Sequence, residues 1–235
     1  MLPLRDNVPT RHFPLVTVLL IAANVAVWLW ELAGTSVEVD VFRYGFYPCT
    51  VQGPCLLPAD PSLPAGELAW WEGAFTSMFM HGSWDHLLGN MLFLWIFGNN
   101  VEDTLGRLRF LGWYLAAGLA ATATQTAVTL AFGDAAQASI PNIGASGAVS
   151  GVLGAYLLLL PTAKVVTLFG WLLVEVPALF YLVFWFAFQL WAGSASLLQP
   201  QAGGGVAFFA HVGGFVFGAL TVFAVAKRRP LRPSY

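Results

Sequence analysis

Apolar runs as long as a bilayer is thick recur along this chain, and they restrict its fold more than any other feature. A helix needs about 20 mostly apolar residues to cross the hydrocarbon core. The sequence is 58% hydrophobic and 9% charged, against about 25% charged in an ordinary soluble domain. With a mean hydropathy of +0.72, the chain reads as an integral membrane protein and not as a soluble protein with a large core. Its 235 residues have room for roughly six or seven spans. A net charge of −2 without a basic stripe argues against a nucleic-acid partner. The first run, Leu15 to Leu32, lacks a clear small-residue cleavage site and reads as a retained span, not a signal peptide.

Six spans are expected, at about 14–33, 84–101, 108–132, 145–160, 177–192 and 206–226. The fifth is placed from Pro177, because proline suits the first turn of a helix. Lys164 to Val176 then becomes an interfacial segment with Glu175 near the headgroups. A long polar stretch separates the first two spans, and its Trp70-Trp71 and Phe75–Met80 parts have interfacial character. Residues 1–13 and the basic residues 227–235 flank the helical domain. Lys and Arg collect on the cytoplasmic side of membrane proteins. With the N-terminus inside, Arg5, Arg11, Arg107, Arg109, Lys164, Lys227, Arg228, Arg229 and Arg232 share that side, and only Arg43 lies outside. Both termini are therefore expected in the cytoplasm, with the long first loop outside. Cys49 and Cys55 fall in that loop, where they can join as a disulfide or stay as thiols.

Polar groups are costly in hydrocarbon, so those that occur there carry functional meaning. Ser146 opens the fourth span within Gly144-Ala145-Ser146-Gly147, and His211 opens the sixth within Ala210-His211-Val212-Gly213-Gly214. Both spans run from outside to inside, which sets the two side chains at similar depth. Gly147, Gly151 and Gly154 in one span, and Gly214 and Gly218 in the other, give small-residue faces that let two helices approach closely. A serine and a histidine at one depth suggest a nucleophile with its general base. In the second span His86 and Asn90 stand four residues apart on one face. They are candidate oxyanion donors, with the Ser146 N–H as a third. His81 lies at or just before that helix.

No carboxylate completes a triad, since Asp85 faces another side and Glu175 lies across the membrane. A zinc protease would show His-Glu-x-x-His, which is absent. An aspartyl mechanism needs two close intramembrane carboxylates, and no partner for Asp134 lies within a span. No metal or cofactor is expected. A transporter reading is weakened by the lack of an internal repeat.

The stretches His81-Gly-Ser-Trp-Asp-His86-Leu-Leu-Gly-Asn90, Gly144-Ala-Ser146-Gly147 and Ala210-His211-Val-Gly-Gly214 resemble, in order and spacing, those of the rhomboid family of intramembrane serine proteases. The resemblance runs from about Leu15 to Ala226. It implies a six-transmembrane-helix bundle, an all-α membrane fold with a long outer first loop and a water-filled cavity open to the outer side. It further implies Ser146 as nucleophile, His211 as base, His86 and Asn90 as oxyanion stabilisers, and His81, Gly144 and Gly147 as support for the site. Glu102 matches a structural acid at the inner end of the second helix. The fifth helix and the loop after it match a substrate gate and cap, with Phe180, Phe184, Trp185 and Phe188 either facing the gate or the lipid.

Two departures stand out: Trp70-Trp71-Glu72 where members often carry Trp-Arg, and Ser150 where some carry a tyrosine contacting the base. The implied partners are transmembrane protein substrates and the lipid bilayer. A catalytically silent relative that binds transmembrane clients is the alternative, although such relatives typically lack the serine or the histidine. The short chain also reads as bacterial, placing it in an inner or plasma membrane.

Overall fold

The computed structural model describes residues 2–34, 36–56, 63, 68–198 and 206–233. In chain order its elements are β1 (Leu2–Asp6), α1 (Leu15–Ala33), α2 (Val37–Tyr44), α3 (Trp70–Thr76), α4 (Trp84–Leu105), α5 (Arg107–Phe132), α6 (Ala135–Ala138), α7 (Ser146–Leu159), β2 (Lys164–Phe169), β3 (Leu172–Pro177), α8 (Ala178–Leu198) and α9 (Phe208–Val225). Among the described residues, α1, α5, α8 and α9 are the four helices long and apolar enough to cross a membrane. Helix α4 carries Asn99, Asn100, Glu102 and Asp103, and α7 is only 14 residues long. A count of six spans therefore goes beyond what length and composition show.

Helix α7 is the axis of the bundle. Every residue from Gly147 to Tyr156 is buried, and α4, α5, α8 and α9 all pack against it. The α7–α9 seam depends on glycine. A β-carbon on Gly214 would overlap the carbonyl oxygen of Gly147, one on Gly218 that of Gly151, and one on Gly154 that of Phe215. Two backbones touch along this line, the close approach that membrane helices use in place of a hydrophobic driving force. Ser146 and His211 sit in the first turns of the two helices so joined.

The opposite end of the bundle carries both chain termini and is closed by polar groups bonded across long sequence distances. Glu102 accepts from Val16 N (3.0 Å), Thr17 N (2.7 Å) and Thr17 Oγ1 (2.8 Å). The first N–H groups of a helix have no intrahelical acceptor, so this carboxylate from α4 caps α1. Asp103 binds Arg11 through its backbone N–H (3.2 Å) and guanidinium (2.7 Å). Asn100 Nδ2 donates to Val8 O at 3.1 Å. These bonds explain why α4 runs to Leu105 and not to the expected 101: its polar last turn is satisfied by the N-terminal segment. Gly106, with φ +82°, then turns the chain directly into α5.

Two segments at this end carry structure that the sequence left open. Lys164 to Pro177, expected only to be interfacial, is a β-hairpin, and residues 2–6 add a third antiparallel strand in the order β1-β2-β3. The hairpin closes on Gly170-Trp171, with Gly170 at φ +60°, the left-handed first position that two-residue hairpin turns assign to glycine. Val165 and Thr167 point to the core, while Trp171 at the tip is 98% exposed. Asp6 accepts from Tyr156 Oη at 2.5 Å, tying the sheet to α7, and burial raises its carboxyl above the ordinary range against that bond. Helix α8 starts where expected and continues past 192 to Leu198, with Ser194 and Ser196 hydroxyls bonded back to Leu190 O and Gly193 O.

Between α1 and α4, Ser36 caps α2 by accepting from Val39 N (3.2 Å). Cys49 and Cys55 are joined as a disulfide with Cα atoms 5.3 Å apart, and Phe46 pairs with Asn142 across two loops. Part of this connection, 57–62 and 64–67, lies outside the described residues, as does the loop 199–205 expected to cap the site.

Candidate active site

At the end remote from the termini, His211 Nε2 lies 2.8 Å from Ser146 Oγ. His211 Nδ1 lies 2.8 Å from Gln189 Oε1. An amide oxygen only accepts, so Nδ1 carries the proton and Nε2 is left to accept from the serine hydroxyl. The imidazole is held on its faces as well: Trp185 lies across it with centroids 6.0 Å apart, and Phe208 meets it edge-on at 6.5 Å. The start of α9 is set by Gln125 of α5, whose Oε1 accepts from Ala210 N (3.1 Å).

The second group of expected residues lies on α4 and the loop before it. Ser83 caps α4 by accepting from His86 N (3.2 Å). His81 is fully buried and its ring is fixed at both nitrogens. Nδ1 donates to Phe79 O (3.2 Å), so Nε2 accepts from Asn90 Nδ2 (3.1 Å). One N–H of the Asn90 amide is thereby used and its orientation set. Burial, and secondarily the neighbouring His86, hold His81 well below the usual histidine range, at about 4. The neutral ring is the form that can accept from Asn90. The His81 and His86 rings stand edge to face, centroids 5.0 Å apart.

Gly144, at φ +116°, donates from its N–H to Ser77 O (2.7 Å). A β-carbon there would come within 2.6 Å of His86 Nε2. Glycine is thus what lets the loop entering α7 lie against His86. Gly147 faces Ala121 with similar closeness.

Ser146, His211, His86, Asn90, Trp185 and Gln189 line one cavity of about 810 Å³. The expected residues of the second, fourth and sixth segments therefore converge. Ser150 does not reach the histidine; its hydroxyl bonds back to Ser146 O at 2.6 Å. Of the four aromatic residues considered on the fifth segment, Trp185 lines the cavity, whereas Phe180, Phe184 and Phe188 are exposed on the outside. Gln189 was not singled out from the sequence. Its signal was available: it is the one amide in the fifth apolar run, where a polar side chain asks for a partner. Among the described residues no cluster of three or more His, Cys, Asp or Glu could hold a metal ion.

These features define a helical membrane protein with a serine–histidine pair enclosed between two of its helices. A family model for the Rhomboid domain matches residues 67–228, more than half of the chain, and the chain belongs to the rhomboid family. It is 33% identical over 153 residues to Rhomboid protein 1, mitochondrial, of Saccharomyces cerevisiae, covering 64% of this chain and 41% of that protein. It is 30% identical over 151 residues to the Presenilin-associated rhomboid-like protein, mitochondrial, of Bos taurus, covering 64% and 34%. It is 40% identical over 88 residues to the Rhomboid protease GluP of Bacillus subtilis, covering 37% and 15%. The chain thus spans less than half the length of these relatives.

The relatives also correct one expectation. The placement in a bacterial inner or plasma membrane, with cytoplasmic termini, is overturned by the relatives from yeast, cattle and human, which are mitochondrial by name and point to a mitochondrial membrane. Chain shortness carries no physical information about compartment.

Proposed function

We propose that this protein is an intramembrane serine endopeptidase that hydrolyses peptide bonds in or near transmembrane segments of other membrane proteins. The observation that carries the reading is the Ser146 Oγ–His211 Nε2 contact of 2.8 Å, with the other imidazole nitrogen engaged by Gln189. In this reading α1, α4, α5, α7, α8 and α9 are six spans, residues 14–226 carry the catalytic helices, and the cavity faces the side opposite the termini. Residues 2–13 flank those helices but are joined to them through β1.

His211 Nε2 takes the Ser146 proton as Oγ attacks the peptide carbonyl. The charge that develops on the carbonyl oxygen is met by the free Asn90 amide N–H, by His86 and by the Ser146 backbone N–H, donors worth most where water is excluded. His211 then returns the proton to the leaving amine. Water entering through the cavity hydrolyses the acyl ester, with His211 again as base. Gln189 keeps the imidazole in the productive tautomer without supplying a negative charge, which makes the pair a dyad with an amide support. A substrate helix must open locally, because its carbonyls are occupied by i+4 N–H groups. Helix-weakening residues near the cleaved bond are expected.

The test is cleavage of a transmembrane polypeptide containing a Gly- or Pro-weakened span, by full-length protein in proteoliposomes. Specific cutting that disappears in Ser146→Ala supports the reading. Equal cutting by Ser146→Ala contradicts it.

A further inference from the structure

At the end carrying the termini, a second cavity of about 550 Å³ lies between the α4–α5 turn, the exit of α9 and residues 12–14. Four cationic side chains line it: Arg107 and Arg109 from the start of α5, and Lys227 and Arg228 from the chain after α9. We infer that this cavity binds the phosphate headgroup of an anionic phospholipid.

The site is built from distant parts of the chain. Lys227 N and Arg228 N both donate to Thr104 O, at 3.1 and 3.0 Å, fastening the end of α9 onto the last turn of α4. The Lys227 stem passes Gly106, where a β-carbon would lie 3.8 Å from Lys227 Cδ. Arg107 Nη2 donates to Phe13 O (3.3 Å) and Arg109 Nη1 to Val225 O (3.2 Å). Each guanidinium is anchored by one bond and keeps further donors.

The two acids in the wall are already engaged. Asp103 is paired with Arg11, and Glu102 caps α1. Among the described residues, neither acid forms an ion pair with the four cations of the cavity. A multivalent anion held by forked guanidinium groups suits such a site. The rim points to a lipid and not a free ion. Phe13 is 62% exposed and Leu108, between the two arginines, is 86% exposed. Apolar side chains placed beside cations at the end of a membrane bundle match a ligand that is charged at one end and hydrocarbon at the other. Basic pockets at this depth between membrane helices are suited to anionic headgroups.

The test does not depend on proteolysis. Full-length protein is delipidated in detergent and offered dioleoyl phosphatidylglycerol, dioleoyl phosphatidylcholine or glycerol 3-phosphate, and retained molecules are read by native mass spectrometry. Phosphatidylglycerol is expected to be retained in preference to phosphatidylcholine. Lys227→Gln/Arg228→Gln, which leaves the Arg107 and Arg109 anchors intact, should reduce that retention by roughly tenfold or more, at about fivefold per cation. Arg107→Gln/Arg109→Gln should do the same, with thermal melting in phosphatidylcholine showing that both variants fold. Retention that is equal for the two lipids, or unchanged in both folded variants, overturns the assignment. Retention of glycerol 3-phosphate as strong as that of the lipid also overturns it, in favour of a soluble-phosphate site.

Discussion

The two ends of the bundle treat buried polar groups in opposite ways. At the end carrying the termini, Glu102 and Asp103 are consumed by bonds that cap α1 and hold the N-terminal segment. At the other end, Ser146, His86 and Asn90 line an open cavity, and their bonds set orientation while leaving reactive atoms available. His211 offers one nitrogen to Gln189 and the other to Ser146. The first arrangement holds helices together. The second leaves a serine hydroxyl and an imidazole nitrogen in contact at the cavity wall. The difference lies in what remains unused after the local bonds are counted, and the presence of polar residues in an apolar chain does not by itself distinguish the two.

The sharpest way to break this comparison is to remove the pair itself. Ser146→Ala and His211→Ala are each expected to lower peptide cleavage by about 10⁴-fold or more, with the melting temperature nearly unchanged. Asn90→Ala should cost about 10²- to 10³-fold in kcat through loss of an oxyanion donor, again measured in proteoliposomes. At the opposite end the sign of the result reverses. Glu102→Ala leaves two α1 N–H groups and the Thr17 hydroxyl without an acceptor. It should lower stability by about 3 kcal/mol, read by thermal unfolding, while the activity of the molecules still folded is retained.

Smaller effects sharpen the comparison further. Gln189→Leu should reduce kcat about tenfold by releasing the imidazole, and Gln189→Glu, which keeps the acceptor, should restore most of it. A merely structural role would not separate the two variants. The smallest effect concerns pH. His81 titrates at about 4 in the fold, against about 6.5 unfolded. Between these values the unfolded chain binds the extra proton, so stability falls as pH drops from about 6.5 through 4. Thermal melting across that window should show the slope, and His81→Gln should flatten it.

The site was more legible in the sequence than the end that closes the bundle. Ser146, His211, His86 and Asn90 each interrupt an apolar run, where a polar side chain needs a physical reason. The glycine spacing of α7 and α9 foretold their contact. Gln189 carries the same kind of signal, but its partner, His211, lies on another helix, and an amide is a less familiar support for an imidazole than a carboxylate. The hairpin at 164–177 was hidden for another reason. A short apolar run reads alike as strand or buried helix, and what makes it a three-stranded sheet is pairing with Leu2–Asp6, more than 150 residues away. The role of Glu102 as a cap for α1 likewise depends on a partner that local pattern does not reveal.

The most direct measurement of the central claim needs no substrate. Purified full-length protein is treated with a fluorophosphonate probe, and the adduct is located by mass spectrometry beside His211→Ala. Labelling confined to Ser146, and lost in His211→Ala, is the result expected of a serine activated by this histidine. Folded protein in lipid that leaves Ser146 unlabelled, or that labels equally without His211, would contradict it.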